Sequence, residues 1–234
     1  MGNEYVWPLV TVLIITYNRP VEIRRTIQAL LDKLHYPWDR LLWVLCDDGS
    51  PEGYVQSIVN DFPEIHFTLS VTDRGGWAAN VNRGRDYCTT NYIFYCEDDF
   101  LALSEIDLMR GVTLLERVDD LGMVRYDGIE GHDLNLEQRW VTPTQFGTLH
   151  YLRIRKDSPH LNVYSNRPHL EHERSRAAYG AYQTGFRLAL TEENYAYKVK
   201  TTPGPDVCLL PRYIEAQFAH IGKTWQGTPD DIYK

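Results

Sequence analysis

The chain has 234 residues, 43% apolar and 24% charged, with 24 basic against 32 acidic side chains for a formal charge of −8. This is the composition of one globular domain, and too little chain for two large ones. An acidic chain repels phosphate backbones and anionic headgroups, which excludes nucleic acid and membrane surfaces as default partners. The aromatic content is amphipathic, with 16 Tyr and 6 Trp against 7 Phe, more polar-tipped rings than a core alone needs.

No run reaches the roughly 18 apolar residues of a membrane span. Residues 9–15 follow Glu4 and are too short for a signal-peptide core. Cys46, Cys88, Cys96 and Cys208 show no CxxC spacing, and no Asn-x-Ser/Thr sequon occurs. The expectation is free thiols in the cytoplasm.

Residues 10–15 are apolar or β-branched throughout, the pattern of a strand covered on both faces. Pro20 opens a helix with Ile23, Ile27, Leu30, Leu31 and Leu34 at helical spacing. A second strand over 41–45 ends in Cys46-Asp47-Asp48-Gly49-Ser50, and a short helix follows over 51–59. Residues 65–71 predict a third strand, 77–87 a helix, and 92–95 a fourth strand ending in Glu97-Asp98-Asp99. Ser104 with Asp107 predicts a helix start carrying Leu108, Val112 and Leu115. Beyond 121 the texture changes: strands are expected over 123–125, 140–142 and 148–154, and helices over 170–178 and 192–199. Pro159 and Pro168 bracket an aromatic, His-rich loop.

Strand–helix alternation implies an α/β fold with a mostly parallel central sheet flanked by helices, as one domain over 1–234. Ligands of such sheets bind outside the carboxyl ends of the strands. The polar clusters 16–19, 47–50 and 97–99 all fall there, so one nucleotide-type site can collect all three.

No GxxxxGK[ST], GxGxxG or GxSxG motif is present, which excludes P-loop enzymes, dinucleotide dehydrogenases and serine hydrolases of the elbow type. Three successive carboxylates repel one another unless a cation sits among them. On alternating backbone Glu97 and Asp99 share a side, an acid-x-acid clamp for one divalent ion; the alternative is a solvated acidic turn.

These clusters, in this order, resemble inverting GT-A fold glycosyltransferases of glycosyltransferase family 2. The resemblance covers roughly residues 9–100. Residues 12–20, with Thr16-Tyr17-Asn18-Arg19-Pro20, resemble that family's opening. Residues 46–50 resemble its second-strand motif, and 97–99 its DxD motif with Glu first. Residues 74–84 resemble its glycine-and-asparagine helix start, with Val81 where Arg is frequent; a phosphate contact then moves to Arg74 or Arg83.

The resemblance implies a nucleotide-sugar site built from Thr16, Tyr17, Asn18, Arg19, Asp47, Asp48, Arg74, Trp77, Asn82, Arg83, Glu97 and Asp98, with Lys223 a diphosphate partner. Asp47 would accept from a uracil N–H, and Glu97 would lie near the ribose. Asp99, with Glu97 and His220, would hold Mn2+ or Mg2+ on the diphosphate. Residues 179–193 resemble the family's TED or GED segment, making Glu193 the base and Glu192 its rival. Acids in the first turn of a helix capped by Thr191 are the alternative. His169, Glu171, His172 and Glu173 are expected as acceptor-side wall or solvated helix face.

The implied activity is metal-dependent, inverting transfer of a sugar from a nucleotide-sugar, a UDP-sugar by the Asp47 match, to a hydroxyl of a carbohydrate or other acceptor. Residues 9–120 would form the donor half and 121–234 the acceptor half. A sugar-phosphate nucleotidyltransferase is one alternative, although the turn after the first strand is short for gripping a triphosphate. A non-catalytic carbohydrate-binding protein is the other, although it has no use for carboxylates at three strand ends. Tyr17, Trp77 and Tyr95 are expected beside the nucleotide, and Tyr151, Tyr164, Tyr179, Tyr182 and Trp225 where sugar and acceptor stack.

Overall fold

A computed structural model describes residues 5–126, 141–158, 163–210 and 217–222. The first half runs β1 (Val10–Thr16), α1 (Glu22–Lys33), β2 (Leu34–His35), β3 (Leu41–Asp47), α2 (Tyr54–Asp61), β4 (Phe67–Val71), α3 (Trp77–Tyr87), β5 (Tyr92–Glu97), β6 (Phe100–Ala102), β7 (Ile106–Asp107) and α4 (Leu108–Arg117). The second half adds β8 (Leu121–Arg125), β9 (Val141–Phe146), β10 (Leu149–Ile154), β11 (His169–His172), α5 (Glu173–Tyr179), α6 (Leu188–Thr201), β12 (Asp206–Leu209) and β13 (Phe218–His220).

Nine strands form one continuous sheet in the order β4-β3-β1-β5-β11-β8-β12-β10-β9. β4, β3, β1 and β5 are parallel; β11 runs antiparallel to both of its neighbours, β5 and β8. Every residue of β1 is buried because helices cover both faces. Val10, Val12 and Ile14 pack with Ile23, Ile27 and Leu30 of α1 and Leu108, Val112 and Leu115 of α4. Leu13 and Ile15 face the other core, with Val81 of α3 and Tyr195 and Val199 of α6.

Several elements differ from the sequence reading: β2, β6, β7, β12 and β13 are strands beyond those expected, and α6 starts at Leu188 where 192 is expected. Residues 170–172, expected as the start of a helix over 170–178, instead belong with His169 to β11, buried at all four positions. The helix begins at Glu173, where the His172 ring accepts the Arg174 N–H and caps it. α4 starts at Leu108 rather than Ser104, with Asp107 as the capping acceptor for the Arg110 N–H at 2.9 Å. All four cysteines are free thiols. Among the described residues no helix is long and apolar enough to cross a membrane.

Candidate functional site

β1, β3 and β5 end level with one another: Thr16 pairs with Asp47, and Ile15 with Glu97. The strand order reverses between β1 and β5, so a crevice opens beyond these three ends. The polar clusters flagged in the sequence meet there.

The loops are pinned by their own side chains. Thr16 Oγ1 lies 2.5 Å from the Tyr54 hydroxyl and donates to Asp98 at 2.8 Å. Asn18, at φ 48°, donates its N–H to Ser50 Oγ. Asp47 accepts the N–H groups of Gly49 and Ser50 at 3.2 and 2.8 Å and also contacts the Ser50 hydroxyl. Its carboxylate is thus largely committed to a turn. Asp48 crosses to the next loop, accepting the N–H groups of Gly75 and Gly76 at 2.8 and 3.0 Å. Gly49 permits this approach: at φ 83° an added Cβ would lie 2.6 Å from the Arg74 nitrogen.

Arg83 is likewise turned inward, donating to Ser70, the Asp47 carbonyl and Asn80. The Asn82 amide forms two 2.9 Å bonds with the backbone of Tyr182. Both brace the crevice wall. Arg74 instead lies exposed, with its guanidinium 4.3 Å over the Tyr17 ring. Tyr54 and Asn80 escaped the sequence reading, although Asn80 lies within the recognised motif and bonds the carbonyls of Cys46 and Thr16.

The three acids sit in different surroundings. Glu97 Oε1 accepts from the Trp77 indole at 3.0 Å and the Tyr95 hydroxyl at 2.9 Å. Desolvation, followed by the charge of Asp99, raises its pKa to about 8, with Asp98 and Glu192 adding to the rise. Asp98 is held by Thr16, the Tyr17 N–H and Arg19. Burial still pushes it up to about 6, against the opposing pull of Arg19. Asp99 is 1% exposed. Its Oδ2 contacts Arg19 and lies 3.2 Å from His220 Nε2, whereas Oδ1 is buried with no hydrogen-bond partner among the described residues.

β13 pairs antiparallel with β6 and delivers His220. The Ile221 N–H donates to the Asp99 carbonyl at 2.8 Å, and Gly222 is so close to Asp99 Oδ2 that a Cβ would collide with it. Lys223 and Trp225 lie outside the described residues.

A divalent cation fits this donor set in a limited way. The Asp99 oxygen that has no partner among the described residues is an open acceptor for a cation, and the imidazole beside it offers a second donor atom. Among the described residues no group of three or more His, Cys, Asp and Glu side chains is arranged to hold a metal alone. Remaining ligand positions belong to phosphate oxygens and water, the usual arrangement for Mg2+ at phosphate sites.

Across the crevice, α6 begins at Leu188 with Arg187 at its cap, so Thr191 is a buried interior residue. Glu192 is half-buried and accepts the Asn166 N–H at 2.9 Å, whereas Glu193 is exposed. Tyr151, Tyr164, Tyr179 and Tyr182 are 1–3% exposed and pack into the two cores, so none is an open stacking platform. His169 and Glu171, expected on a helix face, are buried in β11; His169 stacks on Tyr95 at 5.0 Å.

A solved mannosyltransferase from Pyrobaculum calidifontis, in complex with GDP-Man and Mn2+, matches with a TM-score of 0.67 and 19% identity over 94% of this chain and 59% of that one. S. aureus TarS 1-349 in complex with UDP matches at 0.65 and 13%, over 90% of this chain and 59% of that one. Its complex with UDP-GlcNAc matches at 0.64 and 14%, over 96% and 63%. At these identities the likeness is one of fold, the GT-A fold, and this chain spans about six tenths of the length of those solved chains. No curated protein matches. The family model described as Glycosyl transferase family 2 matches residues 11–168. The chain therefore belongs to glycosyltransferase family 2.

Proposed function

We propose that the protein is an inverting, metal-dependent glycosyltransferase that moves a sugar from a nucleoside-diphosphate donor to an acceptor hydroxyl. The observation that carries this reading is Asp99 Oδ1, a buried carboxylate oxygen without a partner among the described residues, beside His220 at the meeting point of three strand ends. A net −8 chain that recruits a diphosphate needs a cation there. The nucleotides bound by the similar structures, GDP-Man and UDP-GlcNAc, are the donor classes to test, and UDP-sugars come first.

In this reading Asp99 and His220 hold Mn2+ or Mg2+, and the loops 16–19, 47–50 and 73–77 hold the nucleotide. The cation supplies charge neutralisation for the departing diphosphate. Glu193, the open carboxylate in the second turn of α6, accepts the proton of the acceptor hydroxyl. The acceptor oxygen then bonds to the anomeric carbon as the bond to the diphosphate breaks, and the electron pair leaves with the nucleotide. Glu192, tied to Asn166, shapes the acceptor side.

Calorimetry with UDP and GDP, each with and without Mn2+, tests the donor site, and nucleotide release across a panel of sugar donors tests turnover. Metal-independent binding, or unaltered turnover in Asp99→Ala, sinks the metal assignment. Glu193→Gln should bind nucleotide normally and lose transfer; normal transfer moves the base to Glu192.

A further inference from the structure

Behind the crevice lies a buried ion pair that the proposed chemistry does not use. The Arg85 guanidinium on α3 donates to both Glu171 oxygens on β11, at 3.0 and 2.9 Å, and Glu171 is 1% exposed. A charge pair taken out of water is a costly way to stabilise a core, so its geometry asks for another explanation. The same guanidinium sits 4.5 Å over the Tyr182 ring and 5.4 Å over that of Tyr195, which stack on each other at 4.1 Å. Asn82, one helical turn before Arg85, clamps the Tyr182 backbone. Tyr182 is therefore fixed by α3 on two sides.

Tyr182 has two outward connections. Its ring meets Trp77 edge-on at 5.0 Å, and the Trp77 indole donates to Glu97. Its hydroxyl contacts the Tyr164 hydroxyl, which donates to Asn166 Oδ1 at 2.9 Å, and the Asn166 N–H donates to Glu192. One tyrosine thus connects an acid at a first-half strand end with an acid on α6.

We propose that Arg85 is a positioning residue, which through Tyr182 sets Glu97 on the donor side against Glu192 on the acceptor side. The inference rests on the glycosyl-transfer reading for its catalytic consequence, and on geometry alone for the coupling. The planar guanidinium is what the site requires: one nitrogen bridges both Glu171 oxygens, the other reaches the Gly180 carbonyl and the Tyr195 hydroxyl, and the plane lies over two aromatic rings, a combination an ammonium cannot span. Nucleotide affinity should be insulated, because the loops bearing Thr16 and Asp48 do not touch Arg85 and Glu97 keeps its Tyr95 bond.

The test is Arg85→Lys, which retains the charge, with Tyr182→Phe as companion, which retains the ring under the guanidinium and removes the hydroxyl that meets Tyr164 and accepts from Arg85 at 3.4 Å. Hydrogen–deuterium exchange should rise in peptides covering 164–172 and 180–187 while β1 stays protected in both variants. Transfer kcat should fall by roughly tenfold or more, the scale of a small misplacement, with donor KM and nucleotide affinity within about twofold and the folded fraction unchanged. Unchanged exchange around Asn166, or a uniform rise through β1, overturns the proposal. So does wild-type kcat in both variants. If the unaltered protein turns over no sugar donor, the glycosyl-transfer reading fails, and the exchange pattern still decides the role of Arg85.

Discussion

Arg19 donates to Asp98 at 2.9 Å and reaches on to Asp99, so a tethered guanidinium sits on the carboxylate oxygen that also faces His220. A fixed positive charge there competes with any divalent cation. Arg19→Gln should therefore tighten Mn2+ binding in the absence of nucleotide by on the order of tenfold, the effect of about 1.4 kcal/mol of removed repulsion. Calorimetric titration with the metal alone measures this. Weaker binding would mean that Arg19 supports the cation instead of opposing it.

Gly222 offers a way to disturb Asp99 without touching its charge. A methyl group there collides with Asp99 Oδ2, and the short 217–222 segment meets the body of the protein chiefly through β6. Gly222→Ala should keep the circular dichroism spectrum and melting cooperativity of the parent. Metal-dependent nucleotide binding should fall at least tenfold, the lower end expected for disturbing the partners of a metal ligand.

Asp48 joins the loop after β3 to the loop before α3 through two charge-assisted bonds, and it is 4% exposed. Asp48→Ala leaves two amides to find other partners and should cost about 3 kcal/mol in urea unfolding. Asp48→Asn keeps one acceptor and should cost less.

The pH dependence of stability has a local source in β11. Burial, followed by the neighbouring Arg174, lowers the His172 pKa to about 4, and its ring must stay neutral to accept the Arg174 N–H. Burial lowers His169 to about 3. In both cases the unfolded chain, with His near 6.5, binds the proton first. The stabilisation is whole above about pH 6.5 and is lost as pH falls toward 4. Melting temperature followed from pH 7.5 to 4.5 should drop less steeply in His172→Asn than in the parent, with the curves converging at the acid end. Parallel curves would remove His172 from the account.

The first half of the fold was legible because buried parallel strands leave nearly continuous apolar runs, as residues 10–15 do, and because helices such as α1 carry one apolar stripe. β11 was not legible. His169-Leu170-Glu171-His172 alternates in no way that solvent would impose, since its polar side chains are consumed inside: Glu171 by Arg85, His169 by Tyr95 and the Arg167 carbonyl. Tertiary pairing with β5 and β8 overrode the local pattern. At the site, the strand-end acids could be read as a cluster, yet their division of labour could not. Which oxygen of Asp99 lacks a partner, and that Asn82 and Arg83 face inward, depend on neighbours more than ten residues away in sequence.

The placement of β11 also bears on how the molecule can be cut. β5 is paired on one side by β1 and on the other by residues 169–172. A fragment ending near residue 126 would hold all three crevice strands but leave β5, bearing Phe94 and Tyr95, as a raw edge with one row of unsatisfied amides and carbonyls. Such a piece should self-associate instead of folding. Any attempt to isolate a minimal nucleotide-binding fragment must therefore extend beyond His172, and a nascent chain leaves that edge open until the same strand is made.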